Sequence, residues 1–260
     1  MVPMAWILEL DGVIWRGQQP IPGSAEAVER LRAAGEQVWF VTNNALPRRG
    51  EVADKLRAHG IDPGDRVVTS PMAAASLVES GHQVLACAGA GVVEALEERG
   101  AVVVDASAPE ATDGRRFDAV VVGLHLSFDY QRMAAAATAV RAGARLLATN
   151  DDTTYPAADG VLLPGAGSIL ASIERASGAT AIVAGKPYAP MADLVRELAG
   201  PTGVAVGDRA DTDGRFAAAL GYPFGLVLTG VTRPEDLPVQ PTPEIVAADL
   251  ATLVAQALGS

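Results

Sequence analysis

Glu9 and Asp11 stand two positions apart in the apolar run Ile7-Leu8-Glu9-Leu10-Asp11-Gly12-Val13. If a strand continues through them, side chains i and i+2 share a face, and two carboxylates project together. Carboxylates so placed repel each other and lose hydration, and a divalent cation is the simplest compensation. Taken alone, the stretch fits acids at a frayed strand end equally well. Three other apolar runs also stop abruptly in polar residues. Val38–Val41 precedes Thr42, Asn43 and Asn44, Ala181–Ala184 precedes Gly185-Lys186-Pro187, and Val204–Val206 precedes Gly207-Asp208-Arg209. In an open parallel sheet the carboxyl ends of the strands share one edge, and ligands bind there. Distant pieces of sequence would thus bring acids, a cation, a hydroxyl and an amide to one place. That mixture suits a divalent metal beside an anionic group. Oxygen-only ligands favour Mg²⁺, and the three histidines show no zinc spacing. The chain has 18 arginines and two lysines, Lys55 and Lys186, so a lysine between glycine and proline at a strand end reads as functional.

The elements that must position these groups alternate strand and helix. After the opening strand, Ser24 is expected to cap an amphipathic helix that Gly35 ends. The strand 38–41 follows, then a helix from Pro47 to His59-Gly60. From residue 81 the pattern partly restarts. Strand-like runs at 84–88, 101–104, 119–122 and 145–148 alternate with helical ones at 92–99 and about 128–142. A loop-rich stretch, 149–167, leads to a helix at 168–176. The strand 181–184 returns, followed by helix 191–198, strand 204–206, a helix opened by Thr212 and Asp213, strand 224–228 and a last helix from Asp249. The expected fold is α/β: a Rossmann-like parallel-sheet core from residues 1–80 and 181–260, interrupted by an inserted α/β domain at 81–180.

Composition narrows the partners. Hydrophobic residues at 49% and charged residues at 20% describe a globular chain with a substantial core. A net charge of −11 argues against nucleic acid and anionic membrane surfaces, so any anionic ligand must be held by local donors. Cys87 is the single cysteine, which rules out an internal disulfide and points to a reducing cytoplasm. No signal peptide and no membrane-spanning stretch is read, so a cytoplasmic protein is expected.

The motifs in order resemble one family. LDGVIWRG with PIPG, VTNN at 41–44, VTS at 68–70, ATN at 148–150, LLPGAGS at 162–168, AGKP at 184–187, GDRADTD at 207–213 and VLTGVT at 227–232 cover nearly the whole chain. The chain is similar to phosphatases of the haloacid dehalogenase (HAD) superfamily, subfamily IIA. That group includes p-nitrophenyl-phosphatase-like and sugar- or glycerol-phosphate phosphatases. The resemblance implies a Mg²⁺-dependent phosphatase of small phosphorylated metabolites working through an acyl-phosphate intermediate. Glu9 falls at the position of the nucleophile. Asp11 would be the general acid and then the base. Thr42, Asn43 and Asn44 would bind the phosphoryl group, and Lys186 would balance charge between it and the nucleophile. Asp208 would bind the metal with Glu9 and the Asp11 carbonyl, and Asp213 would act through metal-bound water. The insertion resembles a mobile cap that sets substrate choice, with Asn150, Asp152 and His125 facing substrate. Such caps often pair, so a homodimer is implied.

The family's nucleophile is aspartate, whereas position 9 is glutamate, longer by about 1.5 Å of carbon–carbon bond. An alternative follows from it: a relative that binds a phosphorylated metabolite without efficient turnover. A third reading, a dinucleotide-dependent oxidoreductase, rests on Gly89-Ala90-Gly91. There Glu94 replaces the last glycine of the fingerprint and would set a carboxylate against a pyrophosphate. Gly165-Ala166-Gly167-Ser168 lacks the lysine of a phosphate loop and reads as a helix N-terminal turn.

Overall fold

The computed structural model describes residues 4–156 and 161–259, so positions 157–160 of the expected loop fall outside it. The chain divides into two compact units. The first comprises Met1–Thr42, Gly50–Val68 and Lys186–Ser260, the second Asn43–Arg49 and Thr69–Gly185.

In chain order the elements open with β1 (Ala5–Leu8), the short pair β2 (Trp15–Arg16) and β3 (Gln19–Pro20), α1 (Ser24–Ala33) and β4 (Gln37–Thr42). Then come α2 (Arg49–Ala58), β5 (Val67–Thr69), α3 (Ser70–Ala75), β6 (Gln83–Cys87), α4 (Ala90–Glu98) and β7 (Val102–Asp105). The middle of the chain continues with β8 (Ala119–Val122), α5 (Tyr130–Arg141), β9 (Arg145–Ala148), β10 (Thr154–Pro156) and β11 (Leu162–Pro164). After α6 (Ala166–Ser177) and β12 (Ile182–Val183) come α7 (Ala189–Ala199), β13 (Gly203–Gly207) and α8 (Arg215–Leu220). The chain closes with β14 (Phe224–Val227), β15 (Ile245–Ala247) and α9 (Leu250–Leu258).

The sheet of the first unit has the order β15-β14-β13-β1-β4-β5. β1 pairs in parallel with both β13 and β4, and β14 joins β13 and β15 in the same sense. Its four residues, Ala-Trp-Ile-Leu, are all buried, as a strand covered on both faces requires. Trp6, Leu8 and Phe40 pack with Leu31 of α1, Leu56 of α2 and Leu253 of α9. Met191 and Val195 of α7 and Phe216 of α8 are buried as well, and Phe216 lines a small void with Ile7 and Ala205. The chain builds outward from β1 through β4 to β5, then returns on the other side through β13 to β15. The strand order therefore reverses beside β1, where open α/β sheets hold their ligands.

The second unit has its own parallel sheet, order β12-β9-β8-β6-β7, and a separate core of Leu85, Val120, Val122, Leu146 and Ile173. β10 and β11 form an antiparallel pair.

Three expectations are corrected here. The second unit takes in α3 and residues 181–185, beyond the expected 81–180, because α3 packs on α4 and β12 pairs with β9. β12 therefore does not belong to the first sheet, and Lys186 is not the end of one of its strands. Ser24 begins α1 without capping it; its hydroxyl donates to the Val13 carbonyl at 2.9 Å, and Gly23 holds the cap position at φ 81°. No helix among the described residues is long and apolar enough to cross a membrane.

Candidate active site

β1 stops at Leu8. The Glu9 N–H still donates to the Val206 carbonyl at 2.9 Å, continuing the ladder, but the chain then turns. The Leu10 carbonyl accepts from the N–H groups of Val13, Ile14 and Trp15, and Gly12 sits at φ 84°. The strand alternation that would send Glu9 and Asp11 the same way ends before Asp11, and the two carboxylates have separate partners.

Glu9 Oε2 meets the Lys186 ammonium, which also donates to Asp213 Oδ1 at 2.7 Å. The three side chains are 10%, 4% and 6% exposed, so the cation neutralises carboxylates that have lost their water. Asp213 lies in a π-helical turn, Ala210–Gly214, that follows β13. Its Oδ2 accepts from the N–H groups of Asp208 and Arg209 at 3.2 and 3.1 Å, which fixes the turn against the strand end.

Asp208, at the end of β13, accepts from the Val231 N–H at 2.6 Å. Burial, and then the neighbouring Asp213 carboxylate, push its carboxyl up to about 7, against the pull of the Val231 N–H, Lys186 and Arg209. Glycines make room for it. A Cβ on Gly12 would lie 2.5 Å from Asp208 Cγ, and one on Gly230 would collide with the same carboxylate. Thr229 Oγ1 donates to the Gly12 carbonyl at 2.5 Å and joins these two turns.

This donor set fits a hard divalent cation. It is made of oxygens, it is buried, and its carboxylates outnumber Lys186, which leaves Asp208 under pressure to hold a proton. Among the described residues, however, no three His, Cys, Asp or Glu side chains are gathered into a ligand set, and Glu9 and Asp213 both pair with Lys186.

Asp11 reaches solvent, yet protein encloses enough of it for lost hydration to raise its carboxyl. Lys55 and the Trp15 indole oppose that rise. Lys55 is itself lowered by burial, with Asp11 pulling it back.

Thr42 ends β4 and is buried. Asn43 and Asn44 fall in the second unit. There the Asn43 carbonyl accepts from Ser70 Oγ at 2.7 Å and from Asn150 Nδ2 at 2.9 Å, and Asn44 Oδ1 accepts from the Leu46 N–H at 3.2 Å. Asn150 is buried, and its Oδ1 accepts from the Asp152 N–H at 3.2 Å. Its amide braces the backbone at both ends, which corrects the expectation that it faces substrate. Asp152 is half-buried. His125 is half-buried too, its Nδ1 accepting from the Ser127 N–H. Burial and the nearby Arg132 lower it, while Asp105 and Asp129 raise it.

The two glycine turns are filled by backbone. Gly91 donates to the Leu46 carbonyl, and Glu94 Oε2 accepts from the Arg49 N–H at 2.8 Å, so segment 45–49 covers the start of α4 where a pyrophosphate would sit. Gly165 and Gly167 donate to the Thr153 and Asp152 carbonyls, as a helix N-terminal turn does.

Family models match both ends of the chain, one described as haloacid dehalogenase-like hydrolase over residues 6–102, the other as HAD-hydrolase-like over 183–253. The acid sugar phosphatase of Staphylococcus saprophyticus is 32% identical over 246 residues, spanning 92% of this chain and 92% of that protein. The chain belongs to the haloacid dehalogenase-like hydrolases. A D-glycerol 3-phosphate phosphatase of Mycobacterium tuberculosis is 38% identical over 236 residues, covering 88% of this chain and 64% of that one. The crystal structure of glycerol phosphate phosphatase from that organism in complex with magnesium is 34% identical, with a TM-score of 0.86 over 96% of this chain and 76% of that one. The p-nitrophenyl phosphatase of Archaeoglobus fulgidus is 29% identical, with a TM-score of 0.88 over 98% and 99% of the two chains. These relatives are all phosphatases, and this hydrolase groups with them.

Proposed function

We propose that this hydrolase cleaves small phosphate monoesters, of the glycerol-phosphate, sugar-phosphate or p-nitrophenyl-phosphate type, through an acyl phosphate on Glu9. The observation that carries the reading is the buried Lys186 between Glu9 and Asp213 beside the central strand. A buried ammonium offsets the Glu9 charge and holds the carboxylate in place, as a nucleophile facing an anionic substrate needs. Glu9 attacks phosphorus, Asp11 protonates the departing oxygen, and Asp11 then takes the proton of the attacking water. Thr42, Asn43 and Asn44 supply donors to the phosphoryl oxygens. Asp208, Glu9 and the Asp11 carbonyl would hold Mg²⁺, with Asp213 behind them, and the bound cation supplies charge neutralisation at the phosphoryl group. Asp152 and His125 bear on substrate choice. The reading places the protein in the cytoplasm, where Cys87 stays reduced, and extends to a homodimer through the second unit, which light scattering on the purified protein tests.

The deciding experiment measures phosphate release with Mg²⁺ across an ester panel and looks for a phosphate adduct on Glu9 after an acid quench. Release abolished by Glu9→Gln, with the adduct on the Glu9 peptide, is expected. No release from any ester overturns the proposal. Comparison with Glu9→Asp then reads what the extra methylene does to kcat.

A further inference from the structure

Lys186 is bound up with the buried carboxylates, whereas the other lysine, Lys55, has a different employment. It projects from α2, donates to the Gly17 carbonyl at 2.7 Å, and sets its ammonium 4.0 Å from the centroid of the Trp15 ring. Trp15 is 3% exposed, and the His59 ring packs against it at 5.8 Å between centroids. Its Nε1 donates to Asp11 Oδ1 at 3.0 Å. The next residue ties the same hairpin down, because Arg16 Nε donates to the Thr229 carbonyl.

An indole nitrogen donates and cannot accept. Asp11 Oδ1 is therefore held as the acceptor, the role a carbonyl-type oxygen fills best, and Oδ2, which takes no hydrogen bond among the described residues, is left as the oxygen that can face a leaving group. A cation on the ring face draws electron density from the indole and strengthens its N–H as a donor.

We propose that Trp15 and Lys55 are positioning residues for Asp11: the indole holds Oδ1 so that the acid offers its proton from Oδ2 alone, and Lys55 clamps and polarises the indole. The proposal rests on Asp11 being the general acid of the phosphatase reading. As the ester P–O bond breaks, its electron pair passes to the ester oxygen, which takes the proton from Oδ2. The alcohol leaves, Glu9 carries the phosphoryl group, and Asp11 is left as carboxylate. Water then attacks phosphorus and gives its proton to Oδ2. The Glu9–phosphorus bond breaks with its electron pair returning to the Glu9 carboxylate.

A positioned acid matters for a poor leaving group and much less for a good one. The test compares kcat on an alkyl ester, glycerol 3-phosphate or glucose 6-phosphate, whichever the wild type cleaves, with kcat on p-nitrophenyl phosphate. Trp15→Phe is expected to lose about tenfold more on the alkyl ester than on the aryl ester. Lys55→Met shifts the ratio the same way by less, and Lys55→Arg restores it, since a guanidinium also stacks on an indole. The second variant leaves the tryptophan in place should Trp15→Phe not fold. As an activity-independent readout, the Trp15 indole N–H resonance moves in Lys55→Met and Asp11→Asn while those of Trp6 and Trp39 stay. Equal losses on both esters, or no loss, overturn the inference while the phosphatase reading stands. A wild type that cleaves neither ester overturns both, and an unmoved indole resonance overturns the inference alone.

Discussion

Lys186 carries the electrostatics of the first unit, and its removal exposes how much. Lys186→Met strands the Glu9 and Asp213 carboxylates in a buried site, and breaking such an arrangement costs about 3–5 kcal/mol. Urea unfolding of the variant is expected to show a loss of that size, together with phosphate release at background. Cys87 answers to the same physics in the second unit. Burial pushes its thiol up to about 12 from an ordinary 9.0. The folded value lies above the unfolded one, so the contribution to stability is complete below pH 9 and drains away as pH rises toward 12. Native protein should therefore resist thiol-labelling reagents at neutral pH and react fully once denatured.

At the scale of elements, the turn after β1 is the part of the site that tolerates least. Gly12 combines a φ of 84° with a carboxylate where its Cβ would be. Gly12→Ala is expected to cost about 1–3 kcal/mol by thermal unfolding and to displace Asp208, lowering kcat together with stability. Much of this layout was legible in the chain. β1, β4 and β13 are buried almost throughout, so they read as apolar runs, and a polar residue after each marks the sheet edge. The route of Lys186 was not legible. β12 is a two-residue strand with Ile182 exposed, and an apolar pair before a glycine does not say which sheet it joins. Nor were the different partners of Glu9 and Asp11, since the carbonyl that reverses the chain at Leu10 leaves no hydrophobic period behind it. For Asn150 the family resemblance implies a substrate-facing amide, whereas its partners are backbone groups, the distant Asn43 carbonyl and the nearby Asp152 N–H. Trp15 had no such signal, but Lys55 did. In a chain this rich in arginine, Lys55 is as unusual a choice as Lys186.

For the whole molecule, the Mg²⁺ proposed to bind at Asp208 supplies a direct probe of the first unit. Mg²⁺ that binds only the folded chain raises Tm, by a free energy of about 2.7 kcal/mol once its concentration is a hundred times Kd. Differential scanning calorimetry should show that rise in the wild type and lose most of it in Asp208→Asn. The first unit is also discontinuous: Ala5 of β1 pairs with Gly203 of β13, whereas all five strands of the second sheet lie between Gln83 and Val183. Loop-closure entropy makes the long pairing the slower one to form. During synthesis the second sheet can close while β1 still lacks one neighbour, and Glu9 has no Lys186 to pair with until the final third of the chain is being made. Pulsed hydrogen exchange during refolding should accordingly protect β6, β8 and β9 before β1 and β13. With Glu9 and Lys186 acting together as proposed, a chain that stops short of residue 186 is expected to release no phosphate, so unfinished copies stay silent.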